Sequence, residues 1–315
     1  MNGQLQVIIT QMVVFSVLLG IGAIAARTKV LTTVVLDSLA KVMINITLPA
    51  LIITLVPTAG SRKVLLEAFP FLICSFALIL TLFLLGKFTA RLGGLQGNTA
   101  DIHVAQSSFG NVGFMGIPLL LALYGEKGML YVSIFTVADQ TLLWTLGTYL
   151  SSPDKEVNVM HNLKKLMNPT IVALSVALLF IILGINPQGV VFDTIKGLGD
   201  TTKYLSMVYI GGTLVAINFR DTLQKKTIFL IVLVKMIIAP LLIYFLMVSL
   251  GGGIFTPEAI MTLTLIATLP SMVTIAMLAR AFGSDDVYSS ECVFITTIFS
   301  IVTIPLVMFI ISYLS

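Results

Sequence analysis

The sequence predicts an all-α polytopic membrane protein whose ten transmembrane helices form two inverted five-helix repeats. Three observations carry that fold class. Hydrophobic residues make up 57% of the 315 and charged residues only 10%, and the mean hydropathy of +1.07 is far above what a water-exposed surface sustains. The apolar residues fall in runs of about 20, the length that spans a bilayer core of roughly 30 Å. An odd number of such runs in each half makes the second half cross the membrane in the opposite sense, the arrangement of inverted-repeat secondary transporters.

Taken in order, the first span is Leu5–Ala26. Its apolar run is too long for the core of a cleaved signal peptide, and Met1–Gln4 carries no basic residue, so it reads as a permanent span. The second, Val34–Val56, contains the polar and proline-bearing stretch Asn45-Ile46-Thr47-Leu48-Pro49. Ala68–Phe88, Asp101–Tyr124 and Met129–Leu150 complete the first half. Asn168–Gly184, Thr201–Phe219, Thr227–Leu250, Pro257–Ala281 and Tyr288–Tyr313 make the second.

Alternating these spans puts Arg27, Lys29, Lys87, Arg91, Lys155, Lys164, Lys165, Arg220, Lys225, Lys226 and Arg280 on one side. Arg62, Lys63, Lys127, Lys196 and Lys203 fall on the other. The richer side is expected to be cytoplasmic, which places the chain in the cytoplasmic (inner) membrane with both termini outside. The longest hydrophilic joint, Ser151–Leu166, reads as a cytoplasmic linker. The expected organisation is therefore a first repeat over 1–150, the linker over 151–166 and a second, inverted repeat over 167–315.

Charge and cysteine usage exclude several classes. The pI near 9 and net charge of +4 do not point to nucleic acid, because the basic residues are scattered in short loops, where they control topology. Cys74 and Cys292 sit in or beside apolar runs and read as packing rather than a disulfide framework. With only His103 and His161, no His-Glu-x-x-His spacing and no cysteine cluster, no metal site is expected. No glycine-rich phosphate loop is present, so neither a built-in ATPase nor a cofactor is expected.

The breaks carry the functional reading. Aligning Tyr124-Gly125 with Phe282-Gly283 sets Phe109-Gly110-Asn111-Val112-Gly113 against Ala267-Thr268-Leu269-Pro270-Ser271. These are helix-unfriendly stretches at matching depth inside long apolar segments. Backbone freed there cannot be satisfied by lipid, so such breaks persist only where protein or a watery cavity receives them. Isolated Gly and Pro in membrane helices often only kink them; two at matching positions point instead to a site near the midplane. Half-helix ends carry unpaired N–H groups and partial positive charge, which suits a carboxylate.

Asn111, between Gly110 and Gly113, is the leading candidate for substrate contact, with capping of a half-helix as its alternative. Pro118 and Pro270 shape the geometry. Thr268 and Ser271 flank the second break, and Gln106, Ser107 and Ser108 precede the first; all five also fit ordinary helix-packing glue. Asp139 is the one acid deep in an apolar span, roughly 15 Å along the fifth helix. An acid at that depth is a candidate for proton or cation coupling, or for a structural bond inside the protein. Lys235 is the matching oddity in the eighth span. Asp101 and His103 read as a solvated cap at an interface, and Asp285, Asp286 and Glu291 as a solvated loop cluster.

Asn45-Ile46-Thr47-Leu48-Pro49 and Ser108-Phe109-Gly110-Asn111-Val112-Gly113-Phe114-Met115-Gly116-Ile117-Pro118-Leu119 resemble the auxin efflux carrier family, which groups plant auxin exporters with bacterial and yeast carriers. The likeness covers essentially the whole chain in length, span count and motif order. It implies a fold similar to bile-acid/sodium symporters: a scaffold of spans 1, 2, 6 and 7 that also forms a homodimer, and a mobile domain of spans 3–5 and 8–10. Spans 4 and 9 would cross at their breaks, with Asn45, Thr47 and Pro49 facing the crossing. Asp139 and Lys235 would share the mobile domain, so an ion pair between them is expected. The chain departs from the family pattern where Tyr204 stands in place of a proline in span 7, and it lacks the long cytoplasmic loop of many plant members.

The expected function is secondary transport of a small organic anion, a carboxylate such as malate or an auxin-like acid, coupled to H+ or Na+ or driven by potential. An intramembrane enzyme using Asp139 would need a second acid or nucleophile that is not evident. A passive channel would need rings of charge or filter carbonyls.

Overall fold

The computed structural model describes residues 2–58, 65, 69–153, 168–215, 217, 219–250 and 253–314. Among these the chain is helical, with a single isolated bridge between Gly110 and Ser271 and no named strand. Arg62, Lys63, Lys155, His161, Lys164, Lys165 and most of the expected linker lie outside the described residues. The helices are α1 (Asn2–Arg27), α2 (Thr33–Leu55), α3 (Phe69–Leu92), α4 (Gly97–Ser108), α5 (Val112–Tyr124) and α6 (Gly128–Ser151). They continue with α7 (Pro169–Leu183), α8 (Val190–Leu214), α9 (Lys226–Ser249), α10 (Pro257–Thr268), α11 (Val273–Phe282) and α12 (Asp286–Tyr313). Among the described residues α1, α2, α3, α6, α9 and α12 are long and apolar enough to cross a membrane, and α5, α7, α10 and α11 are shorter apolar helices. The chain is a polytopic membrane protein.

The largest boundary difference is at α8, which begins at Val190 rather than near Thr201. The charges that masked its first turns are turned outward: Asp193 and Asp200 are exposed, while Gly199 is buried between them. Tyr204 lies half-exposed within this unbroken helix, so α8 continues through the position where the family pattern has a proline.

Among the described residues four helices carry a five-residue π segment: Met43–Thr47 in α2, Val112–Gly116 in α5, Leu143–Gly147 in α6 and Val234–Ile238 in α9. In three of them a proline stands two residues past the segment, at Pro49, Pro118 and Pro240. Proline offers no N–H and its ring collides with the carbonyl one α-turn earlier. Widening the preceding turn lets the chain pass that obstacle without ending the helix.

Packing is set by small residues. A Cβ on Gly22 would lie 2.1 Å from Val208 O, and one on Gly211 2.1 Å from Leu19 O, so α1 and α8 touch backbone to backbone. Gly199 meets Leu51 of α2 in the same way, at 2.6 Å. Without a hydrophobic drive between helices in lipid, such close approach is the main source of attraction. Helix α2 also packs on α7, whereas α3, α4 and α6 pack together and α9 to α12 form a second cluster joined to α4 through α12. A cavity of about 860 Å³ brings the start of α1 (Gly3, Gln4) beside the ends of α5 and α12 (Tyr124, Ser312), with Glu258 at its wall. The beginning of the first helix and the end of the last therefore lie at one end of the bundle.

Candidate functional site

The two helical interruptions meet side by side. Phe109 leaves α4 in an extended conformation (φ −105°, ψ 128°), and Leu269 leaves α10 likewise (φ −63°, ψ 145°). Gly110 and Ser271 form an antiparallel bridge, and the Asn111 amide donates to Pro270 O at 2.8 Å. Asn111 then turns the chain into α5. Its φ of −78° and ψ of 63° are those of an inverse γ-turn, closed by Val112 N donating to Gly110 O at 2.8 Å. The freed backbone groups of Asn111 and Val112 are received by protein.

The Asn111 side chain does not cap the helix it opens. The residue is 3% exposed, and its Nδ2 is buried without a hydrogen-bond partner. Its backbone carbonyl serves instead, accepting from Met115 N and Gly116 N, both at 3.0 Å. The capping alternative is therefore not what the structure holds, and a buried donor remains at the turn. Leaving such a donor unpaired costs about 1–3 kcal/mol.

Lys235 corrects a second expectation. Its ammonium does not form an ion pair with Asp139; it donates to Gln106 O at 2.9 Å and Phe109 O at 2.6 Å, the last carbonyls of α4. Lys235 is 1% exposed, and Asp139, equally buried, lies within electrostatic range but outside ion-pair contact. The physical reason is that a helix C-terminus offers carbonyls and partial negative charge, which a cation satisfies without a carboxylate. Asp139 Oδ2 accepts from Gln140 Nε2 at 3.2 Å, while Oδ1 is buried without a partner.

At the second break the polar groups are neutral. Ser271 N donates to Thr296 Oγ1 at 3.0 Å, and Ser271 Oγ donates to Gln106 O at 3.0 Å. Thr268 closes its own last turn by donating to Leu265 O at 2.6 Å. Gly113 faces α2 through Leu48, whose Cδ2 would lie 3.5 Å from an added Cβ. Asn45 is not brought to the junction: it is exposed and donates to Lys41 O of its own helix at 2.8 Å. Thr47 is buried against Thr202 of α8, at 2.9 Å. Of the small polar residues before the first break, Ser107 and Ser108 donate to His103 O and Val104 O inside α4, and Gln106 Nε2 reaches Ser289 Oγ of α12 at 2.6 Å.

Of the two clusters read as solvated, His103 and Glu291 are internal, while Asp101, Asp285 and Asp286 are half-buried. His103 is fully buried, its ring nitrogens 2.8 Å from Thr89 Oγ1 and 2.8 Å from Tyr288 Oη, so it ties α3, α4 and α12 together. Glu291 is buried in α12, where it accepts from Lys225 Nζ at 2.5 Å and from Thr222 at 3.3 Å. Asp285 caps the Tyr288 amide at 3.0 Å and accepts from Thr99 at 2.6 Å. Hydroxyl partners such as Thr296 and Tyr288 carry no local sequence signal, being ordinary members of an apolar helix.

The junction thus gathers four helix ends: the N-termini of α5 and α11 and the C-termini of α4 and α10. Lys235 offsets the negative end of α4, which leaves the balance of partial charge positive. That arrangement, with a buried amide donor at its turn, suits an anion.

Comparison with known proteins agrees in kind. The family model described as "Membrane transport protein" matches residues 7–308. An "Uncharacterized transporter" of Methanothermobacter thermautotrophicus is 25% identical over 272 residues, which is 86% of this chain and 87% of the relative. A "Putative malonate transporter" of Rhizobium meliloti is 24% identical over 242 residues, 73% of this chain and 71% of the relative. The chain belongs to the membrane transport protein family, the auxin efflux carrier group whose motifs it carries.

Proposed function

We propose that this family member is a secondary carrier of a small organic anion, a carboxylate such as malonate, malate or an auxin-like acid, working by alternating access. The observation that carries the reading is the junction at Gly110–Ser271, where Asn111 Nδ2 is buried without a partner beside two helix N-termini. A carboxylate supplies the acceptor that this donor lacks, and the charge balance set by Lys235 favours it. The malonate named for one relative is a compound of this class.

In this reading the chain crosses the cytoplasmic membrane ten times, the α4–α5 and α10–α11 pairs each making one broken span. The two inverted repeats cover 1–150 and 167–315, with both termini outside. Helices α1, α2, α7 and α8 form the scaffold and the homodimer contact, held by the glycine-mediated approach of α8 to α1 and α2. The remaining helices move with the junction. Asp139, with one buried oxygen unpartnered, is the group through which H+ or Na+ couples to the anion.

Proteoliposomes given labelled malonate, malate and indole-3-acetate test the reading. Saturable uptake of at least one is expected, falling tenfold or more in Asn111→Ala. Asp139→Asn keeps an acceptor for Gln140 and is expected to abolish the response of uptake to a pH or sodium gradient. Uptake of none, or conversion of the acid to a new compound, would overturn the carrier.

A further inference from the structure

Helix α8 holds the first break at two points. The fully buried Ser206 donates its hydroxyl to Phe114 O at 3.0 Å, a hydrogen it shares with Lys203 O at 3.1 Å. Three residues on, and so on the same helix face, the Tyr209 ring meets the Phe114 ring edge-on, with centroids 6.0 Å apart and an interplanar angle of 69°. Both contacts fall on a single residue of the α5 π segment.

Pro118, four residues on, withholds from that carbonyl its α-helical donor. An α-helical amide at this position would donate to Phe114 O, and proline has none to give. A buried carbonyl left unpaired is costly, so the missing donor is replaced from another helix. The same π turn carries Asn111, whose carbonyl accepts from Met115 and Gly116, the two residues after Phe114. Fixing Phe114 therefore fixes Asn111.

We infer that Ser206 and Tyr209 are positioning residues: they form a clasp that seats the first break, and Asn111 with it, against α8, and the clasp opens and recloses in each transport cycle. The seating stands on the contacts alone, whereas the opening rests on the carrier reading, in which α8 belongs to the scaffold and α5 to the moving part. A hydrogen bond and a ring contact joining two parts that slide past one another cannot persist through the movement.

The test uses the full-length purified protein. Hydrogen exchange at the Met115 and Gly116 amides is expected to rise roughly fivefold or more in Ser206→Ala, in line with the loss of one buried hydrogen bond. Pro118→Ala restores an amide that can donate to Phe114 O, so Ser206→Ala added to Pro118→Ala should change exchange less than twofold. Tyr209→Phe, which keeps the ring, should match the native protein, and Tyr209→Ala should not. Unchanged exchange in Ser206→Ala, or an equal effect with and without Pro118, would refute the seating. Uptake is read separately: with opening in the cycle, Ser206→Ala shifts the saturated rate while the KM stays within twofold. If exchange rises but that rate is unchanged, the clasp does not open. If the native protein carries no carboxylate, the carrier fails while exchange still decides the seating.

Discussion

The two breaks meet, yet they are finished by different chemistry. At the first, a buried ammonium, Lys235, closes the C-terminus of α4 and a side-chain amide, Asn111 Nδ2, is left without a partner. At the second, hydroxyls do the same work: Thr296 accepts from Ser271 N and Thr268 donates to Leu265 O. Charge is concentrated on one side of a near-symmetric junction. The difference teaches that matching breaks need not share a role: in the proposed reading the first receives the anion, and the second holds the frame that the first leans on.

The sharpest way to break this comparison is at Lys235. Lys235→Met removes the ammonium from Phe109 O and leaves Gln106 O with the Ser271 hydroxyl, and after allowing for relieved desolvation of the ammonium it is expected to cost about 2–4 kcal/mol, read as a lowered Tm of the purified protein. A Tm equal to that of the native chain would mean the first break does not depend on a cation. Next comes Asn111→Ala, which should lower carboxylate uptake tenfold or more while shifting stability by less than about 1 kcal/mol, because Nδ2 makes no bond within the fold. A large loss of stability would recast Asn111 as structural and make the breaks alike. Thr296→Val removes the acceptor of Ser271 N and is expected to cost about 1–2 kcal/mol in thermal unfolding, with a KM for the carboxylate within twofold of native. A selective rise in KM would move substrate contact to the second break. The smallest effect is expected at Gly116→Ala, whose Cβ would crowd Leu269 Cδ1 at 2.7 Å and meet Val112 at an ordinary 3.5 Å. A side-chain end can yield, so the cost should stay below about 1 kcal/mol; a larger one would show the two breaks to be rigidly interlocked.

Much of the frame was legible in the chain itself. The apolar runs marked where α1, α2, α3, α6, α9 and α12 lie, and Gly110, Asn111 and Pro270 marked both interruptions. The start of α8 was misread because Asp193 and Asp200 hid helical turns whose charges simply face outward. The site was legible only in part. Asn111 is where its flanking glycines put it, but Asn45 faces outward and bonds its own helix. His103 and Glu291, read as solvated, are buried among hydroxyl and ammonium partners.

Sequence by itself determined the solvent, the helices and the positions of the breaks along the chain, because hydrophobic length and the missing amide of proline are properties of residues and their immediate neighbours. It determined the family too, through two motifs of local backbone chemistry. The tertiary structure alone decided what Lys235, Ser206 and Thr296 bond to. Their partners are main-chain groups of distant helices, which every residue possesses and no letter distinguishes, and only packing chooses which of them come within reach.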